Sequence, residues 1–352
     1  MTTIMSLSGL TGQSFKLPFM NWHGRDFFCI MAIMKKFLPL FAIFLFFTAC
    51  ASHPQIEPDL EDYLYPEETY LPENLNWQPV CPGIARLDFE NPEFPLVYHA
   101  VRVELNTPGL QIVTFPDYNF AKNVQRGRLG PGDAGGIPQP FIYRSHKTER
   151  FAKESGAVVA MNATPFGGRN GKWDLAAKLG AVRQLVGLHI ENGNVIAAPV
   201  ERYAALIFKR AGASAADGYI AEVLDNQTAE GLQGADFAFG GFFTVLRDGE
   251  VCDFKVRTHD SRSGAGLSRD GRILYLLAVE GEMPGKSQGL SYPQCGRVFK
   301  ALGCDDALEF DGGSSTQLFI NGKNALNYRS VVVQGNSFGF RLSGLMSATF
   351  AR

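Results

Sequence analysis

Residues 293–320 read PQCGRVFKALGCDDALEFDGGSSTQLFI, the pattern of a helix followed by two strands folded about a glycine turn. Pro293 stands where a first helical turn tolerates it, Val298, Phe299 and Leu302 share one face, and Gly303 supplies the stop. The run 307–310 (ALEF) has strand character, Gly312-Gly313 breaks it, and 317–320 resumes it. Working outward, strand signals dominate: 96–105 (LVYHAVRVEL), 110–115 after the Pro108-Gly109 turn, 157–161 (AVVAM), 185–190, 204–208, 273–279 and 331–333. One further helix is expected over 144–155, ended by Gly156. Many strands with few, irregularly placed helices predict an α+β fold of mixed or antiparallel sheets with a few packed helices, rather than a doubly wound α/β fold.

The chain has 352 residues, enough for one large domain or two small ones, and its 45% hydrophobic content supports a sizeable core. A formal charge of -2 supplies no global basic field, so no nucleic-acid partner is expected. Residues 34–50 (MKKFLPLFAIFLFFTAC) place Lys35 and Lys36 before an apolar run of signal-peptide length, too short to span a bilayer comfortably. Thr48, Ala49 and Cys50 then resemble a bacterial lipobox, with Cys50 the residue to be lipidated. The alternative is an ordinary signal peptide cleaved nearby. Met34 makes a better start than Met1, so 1–33 reads as an extension and 1–50 as the export segment.

Residues 51–82 carry seven acidic residues, six prolines and no Lys or Arg, the composition of a solvated tether on which Tyr63, Tyr65, Tyr70 and Trp77 could still pack. The folded body is then 83–352, and the expected location is the cell envelope, with a lipid anchor in a membrane. Cys81, Cys252, Cys295 and Cys304 remain. If Cys295 and Cys304 flank a helix they lie roughly 13 Å apart, too far to bridge each other. Each would pair with Cys81 or Cys252, or all four are free thiols.

The chemistry concentrates at 311–316 (DGGSST). Gly312 and Gly313 let backbone approach a ligand, their amides can form an anion-binding concavity, and Ser314, Ser315 and Thr316 add donors. Asp311 beside such a cradle suits a substrate that needs both an acid group and an anion site; the plainer reading is a hairpin whose Asp caps its own turn.

The 311–316 stretch resembles the D-G-G-G-S-S-T signature of the phosphodiester glycosidase family. Further matches follow in chain order: AVVAMNATPF (157–166) resembles a strand ending in N-A-G-F-F, and SRSGAG (261–266) resembles P-R-T-A-I-G. The strand after it ends in Glu280-Gly281 where the family has D-G, the helix 289–302 matches that between G-L-T and L-G, and Arg329 matches a late family arginine. The resemblance spans about 96–342. The glycine run is one residue short, Thr164-Pro165 replaces Gly-Phe, Glu280 replaces Asp, and Ser263 replaces Thr.

The resemblance implies hydrolysis of a sugar 1-phosphodiester. Its phosphomonoester leaving group is already a weak base, so carboxylates that stabilise an oxocarbenium-like centre and deliver water matter most. Asp311 and Glu280 are assigned to that pair, with Glu309 in reserve because strand alternation puts it on the same face as Asp311. Arg262 and Arg329 are candidates to grip the phosphate, and Asn162 to bond the sugar; the ordinary alternatives are an ion pair for Arg262 and a turn bond for Asn162. No cofactor is required, though the oxygens near Asp311 would admit Ca²⁺ or Mg²⁺.

Rival motifs fail on their own terms. GKSQG (285–289) matches a nucleophile elbow, yet no histidine follows His259, so it reads as an exposed loop with Pro284. Its P-loop likeness is one residue short. His189 within LVGLHI reads as a strand residue rather than a metal ligand. The expected function is therefore an envelope phosphodiester glycosidase acting on a phosphorylated glycan. The alternatives are a non-catalytic glycan-binding lipoprotein of the same fold and a metal-assisted phosphodiesterase.

Overall fold

Strand-forming runs in this chain pair almost wholly antiparallel. A computed structural model describes residues 65–125, 137, 139–168, 181–212, 217–227, 230–327 and 333–343. Eight strands make the first sheet, in the order Gln78–Cys81, Ile84–Asn91, Leu96–Glu104, Ile273–Val279, Arg262–Leu267, Asp306–Glu309, Thr244–Arg247 and Glu250–Val251. The second sheet orders Asn194–Ala197, His189–Glu191, Phe237–Gly240, Ala205–Arg210 and Tyr219–Leu224. The third orders Lys323–Asn324, Leu318–Ile320, Val159–Asn162, Ser337–Leu342 and Leu110–Phe115. With helices at Tyr118–Gln125, Thr148–Ser155 and Tyr292–Leu302, the fold is the expected α+β class.

The neighbouring Leu96–Glu104 and Ile273–Val279 strands of the first sheet carry apolar residues on both faces because both are covered. Val101, Val103, Leu274, Leu276 and Leu308 share one core with Met161, Phe208, Phe338 and Phe340 of the other sheets. Tyr98, Ala100, Leu277, Val279 and Ala307 share the opposite one with Val298, Phe299 and Leu302 of the Tyr292–Leu302 helix. Gln294 accepts a bond from Ser291 N at 2.9 Å at the start of that helix, and Gly303 ends it at φ 101°. Gly264 in the neighbouring strand leaves room for the helix: a Cβ there would sit 3.1 Å from the Phe299 ring.

A sharper test of this seating is Gly296 inside the helix. Alanine is worth about 1 kcal/mol over glycine in a helix, but its Cβ would lie 2.4 Å from the Val245 carbonyl oxygen, a backbone atom. Overpacking of this kind costs about 1–3 kcal/mol, so Gly296→Ala should lower the thermal midpoint; a variant melting at or above wild type would show a looser helix.

Three expectations need correcting. The second helix starts at Thr148 rather than at 144, because 142–144 and 146–147 are drawn into pairings with Val182–Leu185 and Val333–Gln334. The expected strand 185–190 breaks at Gly187, φ 128°, where Val186 N bonds Pro165 O and Leu188 N bonds the Gln227 side chain. The described end of the 51–82 segment is not a solvated tether: Gln78–Cys81 joins the first sheet, and the fully buried Tyr70 accepts a bond from Tyr98 through its carbonyl. Residues 51–64 and the export segment with Cys50 lie outside the described residues, as do 331 and 332 of the last expected strand. Cys81, Cys252, Cys295 and Cys304 are free thiols.

Candidate functional site

The 311–316 bend is stitched to two other strands by backbone. Phe310 N bonds Ser263 O at 2.7 Å, Asp311 N bonds Ala163 O at 3.0 Å, and Gly313 N bonds Ser261 O at 2.7 Å. Gly313–Ser315 forms a single 3₁₀ turn, with Ser315 N on Gly312 O and Thr316 N on Gly313 O. The amides of Gly313, Ser315 and Thr316 are thereby committed to the protein, which narrows the anion cradle expected at this bend to Gly312, Ser314 and the hydroxyls.

Asn162, fully buried at the end of Val159–Asn162, clamps the bend from beneath. Its Nδ2 donates to Asp311 O at 2.5 Å, and its Oδ1 accepts from Gln317 N at 2.9 Å and from Ser263 Oγ at 3.1 Å. These bonds give the turn-satisfying alternative direct support. Arg262 is similarly engaged: Nε donates to Leu290 O at 2.9 Å, Nη2 to Thr258 O at 2.6 Å, and the guanidinium lies 4.1 Å from the Tyr292 ring centroid. A phosphate would have to be met by its remaining N–H groups. Arg329 lies outside the described residues.

Strand register brings Glu280 to the same end of the sheet. Arg262 pairs with Val279, so Ser261 and Glu280 follow as neighbours, and a Cβ on Gly281 would fall 2.4 Å from Ser261 N. The Glu280 carboxylate accepts from Asn327 N at 2.6 Å and meets His99 Nε2 at 3.1 Å. His99 Nδ1 in turn lies 2.7 Å from Asp88. His99 was not singled out in the sequence, although LVYHAVRVEL shows it: Val97, His99, Val101 and Val103 alternate on one face, and the histidine interrupts an apolar set.

Burial sets the charge state of the two carboxyls on the Asp306–Glu309 strand and its bend. It pushes Asp311 up to about 7, against a favourable Ser315 bond, and Glu309 up to about 8, against the nearby Arg262 charge and the Cys295 thiol. Asp311 Oδ2, Thr316 Oγ1 and Ser261 Oγ are buried and hydrogen-bond to no protein atom. Unpaired buried polar atoms cost about 1–3 kcal/mol each, so their concentration around one bend marks a place built to meet a polar molecule. Among the described residues, no group of three or more His, Cys, Asp or Glu side chains is placed to hold a metal ion.

The family profile described as phosphodiester glycosidase matches residues 155–337, more than half of the chain and the stretch holding Asn162, Arg262, Glu280, Glu309 and Asp311. The chain belongs to the phosphodiester glycosidase family. Family membership points to glycosidase-type hydrolysis. No curated protein matches the chain. Similar solved structures include a hypothetical protein from Synechocystis, at 15% identity and TM-score 0.49, covering 76% of this chain and 64% of that one. The chain therefore spans less than two thirds of that protein. The catalytic domain of zebrafish N-acetylglucosamine-1-phosphodiester alpha-N-acetylglucosaminidase, auto-inhibited by its pro-peptide, has 17% identity, TM-score 0.48, and coverage of 76% and 85%. A putative exported protein from Burkholderia pseudomallei has 13% identity, TM-score 0.46, and coverage of 70% and 74%.

Two rivals within this phosphodiester glycosidase take structural places. The GKSQG loop is exposed as expected at Pro284, Gly285, Lys286 and Gln288, while Ser287 within it is buried, accepting from Val97 N and donating to Glu280 O, so its hydroxyl holds the loop to the sheet. His189 sits buried in its strand, with Nε2 on Pro116 O at 2.8 Å.

Proposed function

We propose that this phosphodiester glycosidase hydrolyses the glycosidic bond of a sugar 1-phosphodiester, of the GlcNAc-1-phosphodiester type, on an envelope or host glycan. In this reading Cys50 carries a lipid anchor that keeps the domain at the envelope. The observation that carries the proposal is the bend itself: a buried carboxyl, Asp311, with one oxygen unpaired, among glycines and hydroxyls and one strand from Ser261 and Arg262. Water adds to the anomeric carbon as the C1–O bond breaks, and the phosphomonoester departs with that oxygen. Asp311 takes the water's proton, and Glu280 opposes the positive charge developing on the sugar. A base must be ionised to act, so kcat/KM should rise with pH through about 7, where Asp311 loses its proton.

Hydrolysis of a GlcNAc 1-phosphate methyl ester in ¹⁸O-water tests the bond cleaved. Label in the sugar is expected; label in phosphate would replace this mechanism with a phosphodiesterase. A second reading, glycan binding without turnover, draws on the engaged donors of Asn162 and Arg262. It calls for saturable binding of the same ester with no sugar released.

A further inference from the structure

His99 occupies a place that packing alone does not explain. It lies on the apolar face of the Leu96–Glu104 strand, paired in register with Asp88 on one side and Ala278 on the other. Its side chain is 3% exposed, that of Glu280 0%, and that of Asp88 35%. Nδ1 is 2.7 Å from Asp88 Oδ1 and Nε2 is 3.1 Å from Glu280 Oε1. A neutral imidazole has one N–H, so it can donate to only one of these oxygens; donating to both at once takes a ring that carries both protons.

We propose that His99 is a positioning residue, an imidazolium strut that ties Glu280 to Asp88 and fixes the Glu280 carboxylate at the sheet end beside the Asp311 bend. The inference deepens the glycosidase reading and rests on Glu280 belonging to that site. The two charged groups that meet the ring are both acidic. Glu280 faces it from the end of Ile273–Val279 and Asp88 from Ile84–Asn91, while Arg86 holds the other oxygen of Asp88, Oδ2. Burial by itself would lower the His99 pKa, but the bonds and charges of Asp88 and Glu280 outweigh it and raise it. Asp88 is likewise opposed by burial, yet His99 and Arg86 hold it down at about 2. A raised histidine contributes stability fully below its unfolded value of about 6.5 and loses it as pH climbs through the folded value. The strut therefore weakens only on the alkaline side, giving the rate profile a descending limb that belongs to His99.

The test couples spectroscopy to kinetics. In ¹⁵N-histidine spectra of the full chain, the signal lost in His99→Gln identifies the ring. In wild type that ring should titrate above the ordinary histidine value of about 6.5, and in Glu280→Gln its midpoint should fall. His99→Gln should lower kcat about 10- to 100-fold, the range for one lost bond to a charged group, with KM within about twofold and the descending limb displaced. A neutral ring at pH 6 in wild type, or wild-type kcat and pH profile in His99→Gln, overturns the proposal. Should wild type release no sugar at all, the glycosidase reading falls, while the spectra still decide the strut.

Discussion

Replacing Asp311 by asparagine should abolish sugar release and, at pH 8, raise the melting temperature. The second effect follows from burial. The folded protein holds the Asp311 proton up to about 7, whereas an unfolded chain releases it near the ordinary value of 3.8. Between those two pH values the native state binds more protons than the unfolded one, so stability declines as pH rises. It is highest below about 4 and levels off above the folded value. A shift of this size corresponds to roughly 4 kcal/mol as a ceiling. The amide brings an unpaired polar group of its own, so a gain of about 1–3 kcal/mol is expected above neutrality and almost none at pH 4. Calorimetry of both proteins at the two pH values checks this. Equal midpoints at pH 8 would place the carboxyl in solvent, and undiminished turnover would remove Asp311 from the mechanism. Glu309→Gln should show the same alkaline gain, since Glu309 is raised to about 8 by the same cause. If Glu309 is only a reserve carboxyl, that variant keeps its turnover.

On a solvated hairpin the Asp311 substitution would leave the melt unchanged, and the sequence offers no way to exclude that. What it does offer is the side-chain alternation of long strands. Leu96–Glu104 and Ile273–Val279 announce themselves by apolar runs, and the Tyr292–Leu302 helix by its proline, periodicity and glycine stop. Strand Arg262–Leu267 is legible in the sequence only as a motif, because RSGAGL has neither β-branched residues nor alternation; its extended form is imposed by neighbours on both sides. The same limit applies at the site. A motif can nominate Asn162, Arg262 and Asp311, but which bonds each has already spent depends on Ala163, Leu290 and Thr258, which no local pattern connects.

The largest loss of stability should come from Asn162→Ala. This one side chain serves three partners from two other segments: Asp311 O, Gln317 N and Ser263 Oγ. Each was desolvated when the third sheet closed on the first, so removing the amide leaves buried polar groups unpaired with no route to bulk water. At about 1–3 kcal/mol per orphaned group, and with incomplete additivity, a cost of about 3–5 kcal/mol is expected. That equals a fall of roughly 6–20 °C at about 2–4 °C per kcal/mol for a domain of this size. Asn162→Asp separates the donor from the acceptor. It keeps the oxygen that Gln317 N and Ser263 Oγ use, but sets a carboxylate oxygen against the Asp311 carbonyl. Only the protonated acid can restore that donor, so its deficit should be smaller at pH 5 than at pH 8, the reverse of the pH trend for Asp311→Asn. A deficit below about 1 kcal/mol for Asn162→Ala would mean that the backbone bonds of Asp311 to Ala163 and of Gly313 to Ser261 hold the bend by themselves. Asn162 would then be released for the sugar-binding role that the family resemblance implies.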